Sequence, residues 1–155
     1  MTADAVRSAF GQILSQVHAA RADLAVEGVL VQRMAPHAGV EVLVAARREP
    51  LLSPLVVVGL GGAEVESLND IAMRLAPVSL AEARAMIDEL RGSVGLRRRA
   101  DCEALAAAVV RISQLAAALP LAVSNVEINP LLVLPPGQGI LMLDAVVELE
   151  GAGPR

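Results

Sequence analysis

Val126-Glu127-Ile128-Asn129-Pro130, read with Gly139-Ile140-Leu141-Met142-Leu143-Asp144, decides the fold and points to the chemistry. The first segment is apolar and β-prone apart from Glu127 and Asn129. These stand two apart, so an extended strand aims both at one face. Pro135-Pro136-Gly137-Gln138 interrupts the pattern with turn-forming residues, and the chain returns through 139–149. With that turn as the hairpin loop, Asn129 lies directly opposite Asp144. Leu131, Val133, Met142 and Val146 are expected on the same face, which leaves Glu127, Asn129 and Asp144 as a polar island. Two carboxylates and an amide oxygen suit a hard cation such as magnesium, which commonly arrives with phosphates. These three are the candidate metal ligands. An ordinary hairpin with a solvated polar face is the alternative.

Bulk properties narrow the field. The chain has 155 residues and is 55% hydrophobic, yet Phe10 is its one aromatic. A core of Ala, Leu and Val is therefore expected, and a base-stacking surface for nucleic acid is excluded. Net charge is −4, so any anion site must be local. A lone Cys102 cannot form an intrachain disulfide and suits a reducing compartment. The sequence shows no membrane-length apolar run and no leader pattern. The expectation is a cytoplasmic protein with neither nucleic-acid nor membrane partners. It comprises one domain over residues 1–150 and a flexible tail at 151–155.

Helix and strand patterns alternate along the chain. Val6, Phe10, Ile13, Leu14 and Val17 predict a helix over 3–20, capped by Thr2 or Asp4. Strands are predicted at 29–34, 40–46 and 55–58, the last running into Gly59-Leu60-Gly61-Gly62. Ser79 with Glu82 forms a capping box for a helix to about Leu90. Residues 92–99 read as a basic loop, and Asp101 begins a helix that reaches Pro120. The order α-β-β-β-α-α-β-β predicts an α+β, or mixed α/β, layer with helices covering a largely antiparallel sheet.

Other charged residues have bland readings beside sharper ones. The glycines of 59–62 permit close backbone approach to a phosphate, but plain turn chemistry explains them equally. Glu66, Asp70 and Arg74 recur every four residues, which on a helix gives one salt-bridged face. Glu41 opens an aliphatic strand, and Arg48 sits in a charged turn. Arg97-Arg98-Arg99, His18 and His37 read as solvated. No Ser-His-Asp or Cys-His arrangement is apparent, so nucleophilic catalysis is not expected, and no catalytic residue is assigned.

Taken together, these motifs resemble the ATP-grasp domain of NDP-forming acyl-CoA synthetases, a group similar to succinyl-CoA synthetase β chains. The resemblance runs over Gly28-Val29-Leu30-Val31-Gln32-Arg33-Met34, Val40-Glu41-Val42-Leu43-Val44, Arg48-Glu49-Pro50 and Gly59-Leu60-Gly61-Gly62. It continues through Glu66, Asp70, Arg74-Leu75-Ala76-Pro77, Glu127-Ile128-Asn129-Pro130-Leu131 and Leu143-Asp144-Ala145. It departs from the family's pattern at Ala45, Leu52-Ser53, Asn69 and Met73.

The resemblance implies an ATP/ADP site in which Gln32, Arg33 and Met34 read the adenine edge. It further implies that Glu41 binds ribose hydroxyls and that Arg48 faces the phosphates. Asn129 and Asp144 match magnesium ligands, with Glu127 beside them. The matching lobe is the larger, C-terminal part of the grasp. The small lobe with its phosphate-binding lysine, the CoA-binding domains and a phosphorylatable histidine are expected as partner domains or subunits. The chain alone is then catalytically silent, and its uncovered apolar face favours a homodimer. A non-catalytic interaction or regulatory module with the same fold is the alternative.

Overall fold

The computed structural model describes residues 2–36, 38–49, 53–61, 70–118, 120 and 122–150, in two compact units, Met1–Met34 and Ala35–Arg155. His37, Leu52, Gly62, Glu66, Asn69 and the tail 151–155 lie outside the described residues. In the first unit, α1 (Ala3–Ala20) is capped by Thr2, whose Oγ1 accepts from the Ala5 N–H at 3.3 Å. Asp4 instead pairs with Arg7 at 2.6 Å. The strand expected at 29–34 does not form. This stretch has no regular structure, and Leu30, Val31 and Met34 are exposed. No ladder partner pairs with it among the described residues, and an unpaired strand leaves its backbone groups to solvent.

The second unit is built on a six-stranded antiparallel sheet. Its strands are β1 (Val40–Arg47), β2 (Leu55–Leu60), β3 (Ile71–Leu75), β4 (Val123–Val133), β5 (Ile140–Met142) and β6 (Ala145–Leu149). They run β3-β2-β1-β4-β5, with β6 also on β4. The helices are α2 (Leu80–Glu89), α3 (Ser93–Arg99) and α4 (Cys102–Ala118). This is the α+β arrangement that the hydrophobic pattern predicts. The Ser79–Glu82 capping box forms as expected. Two other readings are corrected. Asp70 and Arg74 flank and enter a strand rather than a helix, and Arg74 pairs with Glu89 of α2 instead of Asp70. Residues 93–99 form a helix rather than a loop because Leu96 is buried in the core.

Core packing explains which face of the sheet the helices cover. Val42, Val44, Val56, Val58 and Ala72 alternate along their strands and meet Met86, Ile87 and Leu90 of α2 and Leu105 and Val109 of α4. Glu41, Leu43, Ala45 and Arg47 therefore point the other way. On that face, opposite α2 and α4, Ile71, Met73 and Leu75 are 42%, 50% and 53% exposed. Among the described residues no helix is long and apolar enough to cross a membrane.

Candidate functional site

β4 carries one more residue than β1 between two of their paired positions, since Val42 faces Leu131 while Val44 faces Ile128. Such an extra residue switches which residues face which side. Ile128, Leu131 and Val133 consequently all join the helix-side core. This corrects the expectation that Leu131 and Val133 share a face with Glu127. Glu127 pairs with Ala45, on the open side of β1, and with Val146 of β6.

The hairpin keeps the register predicted from its turn. Ile128 faces Ala145 and Leu131 faces Met142, which places Asn129 across from Asp144. The Asn129 N–H donates to the Asp144 carbonyl at 3.2 Å, and the Leu143 N–H donates to the Pro130 carbonyl at 3.1 Å. The Asn129 side-chain amide donates to Glu127 Oε1 at 3.3 Å, so these two side chains share one side of β4. Asp144 Oδ1 accepts from the Ala145 N–H at 2.8 Å. Asn129 and Asp144 are exposed and Glu127 is half-buried.

This donor set fits a hard divalent cation: two carboxylates and one amide oxygen, all oxygen ligands. Among the described residues none of Glu41, Glu127 and Asp144 forms a salt bridge, so their charge is not neutralised internally. Among the described residues, too, no three His, Cys, Asp or Glu side chains gather closely enough to hold a metal. The set therefore depends on Asn129.

Glu41 is exposed on the open face opposite Leu132, four residues along β1 from Ala45, roughly 13 Å at strand spacing. Its carbonyl accepts from the Gly61 N–H at 2.8 Å. A Cβ on Gly61 would come within 3.1 Å of the Glu41 backbone, so the close approach that glycine permits is made here to β1. Arg48 sends its guanidinium to the carbonyls of Val123 and Pro120, both at 3.3 Å. Gln32, Arg33 and Met34 are exposed and belong to the first unit. His18 is exposed on α1, with Nδ1 2.9 Å from the Leu14 carbonyl oxygen.

One part of the open face was not read from the sequence. β3 aligns Met73 with Val57, and Val57 with Ala45, giving an apolar row that ends at Glu127. The signal was present in the alternation of Ile71, Met73 and Leu75. Asp70 was also misassigned. Buried at the start of β3, its carboxylate accepts from the N–H groups of Arg91 (2.8 Å) and Gly92 (3.0 Å) and joins the sheet to the α2–α3 turn. A cavity of about 520 Å³ opens on the helix side, lined by Ala104, Ala107, Ala108, Ile112, Ile128, Leu131, Ile140 and Met142 with Arg111. That lining contains no carboxylate, amide or hydroxyl side chain to orient a polar ligand. The open face is the better site.

Comparison with known proteins gives a consistent answer. The model of an ATP-grasp domain family matches residues 1–149. An ADP-forming acetate–CoA ligase I of Archaeoglobus fulgidus is 34% identical over 150 residues, covering 94% of this chain and 22% of the ligase. The β subunit of the ADP-forming acetate–CoA ligase I of Pyrococcus furiosus is 36% identical over 130 residues, covering 81% of this chain and 55% of the subunit. A solved structure also superposes well, with a TM-score of 0.84, 32% identity, and coverage of 93% of this chain and 63% of that one. It is the dinucleotide-forming acetyl-coenzyme A synthetase 1 of Ca. Korarchaeum cryptofilum, in complex with coenzyme A, Ca-AMPCP and HgCl+. The chain thus spans only part of each relative, about a fifth of the Archaeoglobus ligase.

Proposed function

This chain belongs to the ATP-grasp domain family, and from that membership we propose that it is the magnesium- and ATP/ADP-binding part of an ADP-forming acyl-CoA synthetase. The observation that carries this reading is the hairpin register. It sets Asp144 across from Asn129, with Glu127 bonded to Asn129 on the side opposite α2 and α4. The A. fulgidus and P. furiosus relatives are acetate–CoA ligases, and the superposing structure holds a nucleotide with a divalent cation, which supports assigning the same ligand class here.

In this proposal Glu127, Asn129 and Asp144 hold magnesium, and Glu41 accepts hydrogen bonds from ribose hydroxyls further along the same face. Leu43, on the open face of β1 between Ala45 and Glu41, supplies an apolar floor between them. Gln32, Arg33 and Met34 contact the adenine edge, and Arg48 supplies positive charge near the phosphates. Bound magnesium neutralises phosphate charge during phosphoryl transfer. The residues of this chain position the nucleotide and do no covalent chemistry. The small lobe, the CoA-binding domains and the phosphohistidine segment act as partner domains or subunits in a cytoplasmic enzyme, and the isolated chain makes no acyl-CoA. A second reading, a non-catalytic interaction module that homodimerises, draws on the exposed row Ile71, Met73 and Leu75.

Calorimetry with a non-hydrolysable ATP analogue, with and without magnesium, tests the proposal. The parent is expected to bind weakly and in a magnesium-dependent manner. Asp144→Asn is expected to lose that dependence, and Glu41→Gln to weaken binding with or without metal. A parent that binds no nucleotide at millimolar concentration, or variants that behave like the parent, would favour the interaction module.

A further inference from the structure

The hairpin carrying Asn129 and Asp144 poses a question of specification. Strand register is strongly fixed where one face is buried, and a one-residue slip sends every side chain to the opposite face. Yet residues 141–150 are all exposed. In β5, Ile140 alone is partly buried against the core, four residues before Asp144, so burial at Asp144 itself does not hold it across from Asn129.

The turn itself is well defined. The Leu134 N–H donates to the Gly139 carbonyl and the Gln138 N–H to the Pro135 carbonyl, both at 3.0 Å. Gly137 and Gly139 adopt φ of 78° and 80°. What ties this turn to the rest of the unit is a residue distant in sequence. The Asp101 N–H donates to the Leu134 carbonyl at 2.8 Å. Its Oδ2 accepts from the Gly139 N–H at 3.0 Å, and its Oδ1 accepts from the Ala104 N–H in the first turn of α4 at 3.1 Å. Asp101 thus grips both ends of the loop while capping a helix whose Leu105 and Val109 are fully buried.

We infer that Asp101 is a positioning residue that fixes the β4–β5 register and so assembles the Glu127–Asn129–Asp144 set. The ligand half of this inference rests on the magnesium-nucleotide reading, whereas the register half stands on the hydrogen bonds alone. Rigidity passes from the core to α4, from α4 through Asp101 to both sides of the turn, and from the turn along the paired strands to Asp144. The N–H groups of Ala104 and Gly139 also hold the Asp101 carboxyl below its ordinary range, so it accepts as a carboxylate at neutral pH.

The two carboxylate oxygens do separable jobs, which makes the inference testable. Asp101→Asn and Asp101→Ser each keep an acceptor for the helix cap, but neither offers a second acceptor to the Gly139 N–H. Amide hydrogen exchange on the full chain is the first readout, and nucleotide affinity with and without magnesium the second. In both variants Leu105 and Val109 are expected to keep parental protection, while Gly139, Asn129 and Leu143 lose it. Magnesium-dependent affinity should fall about tenfold or more, as when outer partners of metal ligands are removed. Metal-free affinity should be unchanged. Parental protection at Asn129 and Leu143 in both variants would overturn the inference, as would loss extending through Leu105 and Val109 in both. A parent without magnesium-dependent binding would remove the nucleotide reading, and the exchange pattern would still decide the register role.

Discussion

On one side of the sheet Val42, Val44, Val56 and Val58 are enclosed by α2 and α4, whereas Ile71, Met73 and Leu75 stand open on the other, the face that also carries Glu41 and Glu127. The same strands make both surfaces, because alternate residues point in opposite directions. On the covered side Val42, Val44, Val56, Val58 and Ala72 pack against the helices, and Arg74 at the edge reaches Glu89 of α2. On the open side apolar residues are interrupted by carboxylates that have no ionic partner among the described residues. Burial on the first side holds the strands in place, so the second side can carry charge with little effect on folding. Under the proposed function, stability and ligand binding fall on opposite surfaces of one layer.

Substitutions on either side can break this division. Met86→Ala removes a fully buried side chain beneath the sheet and should destabilise the unit by about 2–5 kcal/mol, read by denaturant unfolding. A loss below about 1 kcal/mol would mean that the helix layer does not carry the fold. Asp70→Ala orphans the Arg91 and Gly92 N–H groups and should destabilise by about 1–3 kcal/mol in the same assay, with nucleotide affinity unchanged. Ser79→Ala removes half of the α2 capping box and should lower stability by about 1 kcal/mol. Met73→Ser on the open side should shift stability by no more than about 0.5 kcal/mol. Light scattering should show it reducing any self-association of the parent through that face. A large destabilisation by Met73→Ser would show that the open side also supports the fold.

How much of this was legible in the sequence depended on where the controlling contacts lie. The hairpin register was readable because its determinants are local: Pro135-Pro136-Gly137-Gln138 between two alternating segments. α2 and α4 were readable from capping residues and apolar stripes. The extra residue in β4 was not, because it is defined only by the mismatch with β1, a partner far away in sequence. β3 was missed because Asp70 and Arg74 also satisfy a helical spacing. Their true partners, the Arg91 and Gly92 N–H groups and Glu89, follow only from the tertiary fold. The strand expected at 29–34 failed for the converse reason, since a suitable local pattern without a pairing partner does not make a strand. The candidate ligands were legible as residue types, but their shared location depends on a turn held by Asp101, whose role no spacing rule suggested.

The central claim is that the side of this sheet opposite α2 and α4 is the platform for a metal–nucleotide. Titrating the isotope-labelled chain with ADP and paramagnetic manganese in place of magnesium tests it most directly. Amide resonances of Glu127, Asn129, Asp144 and Ala145 should broaden first, and Glu41 should shift, while Met86 and Val109 stay unchanged. Broadening centred on Ala104, Ala107 and Met142 would place the ligand in the helix-side cavity and contradict the account, as would no selective broadening at any site.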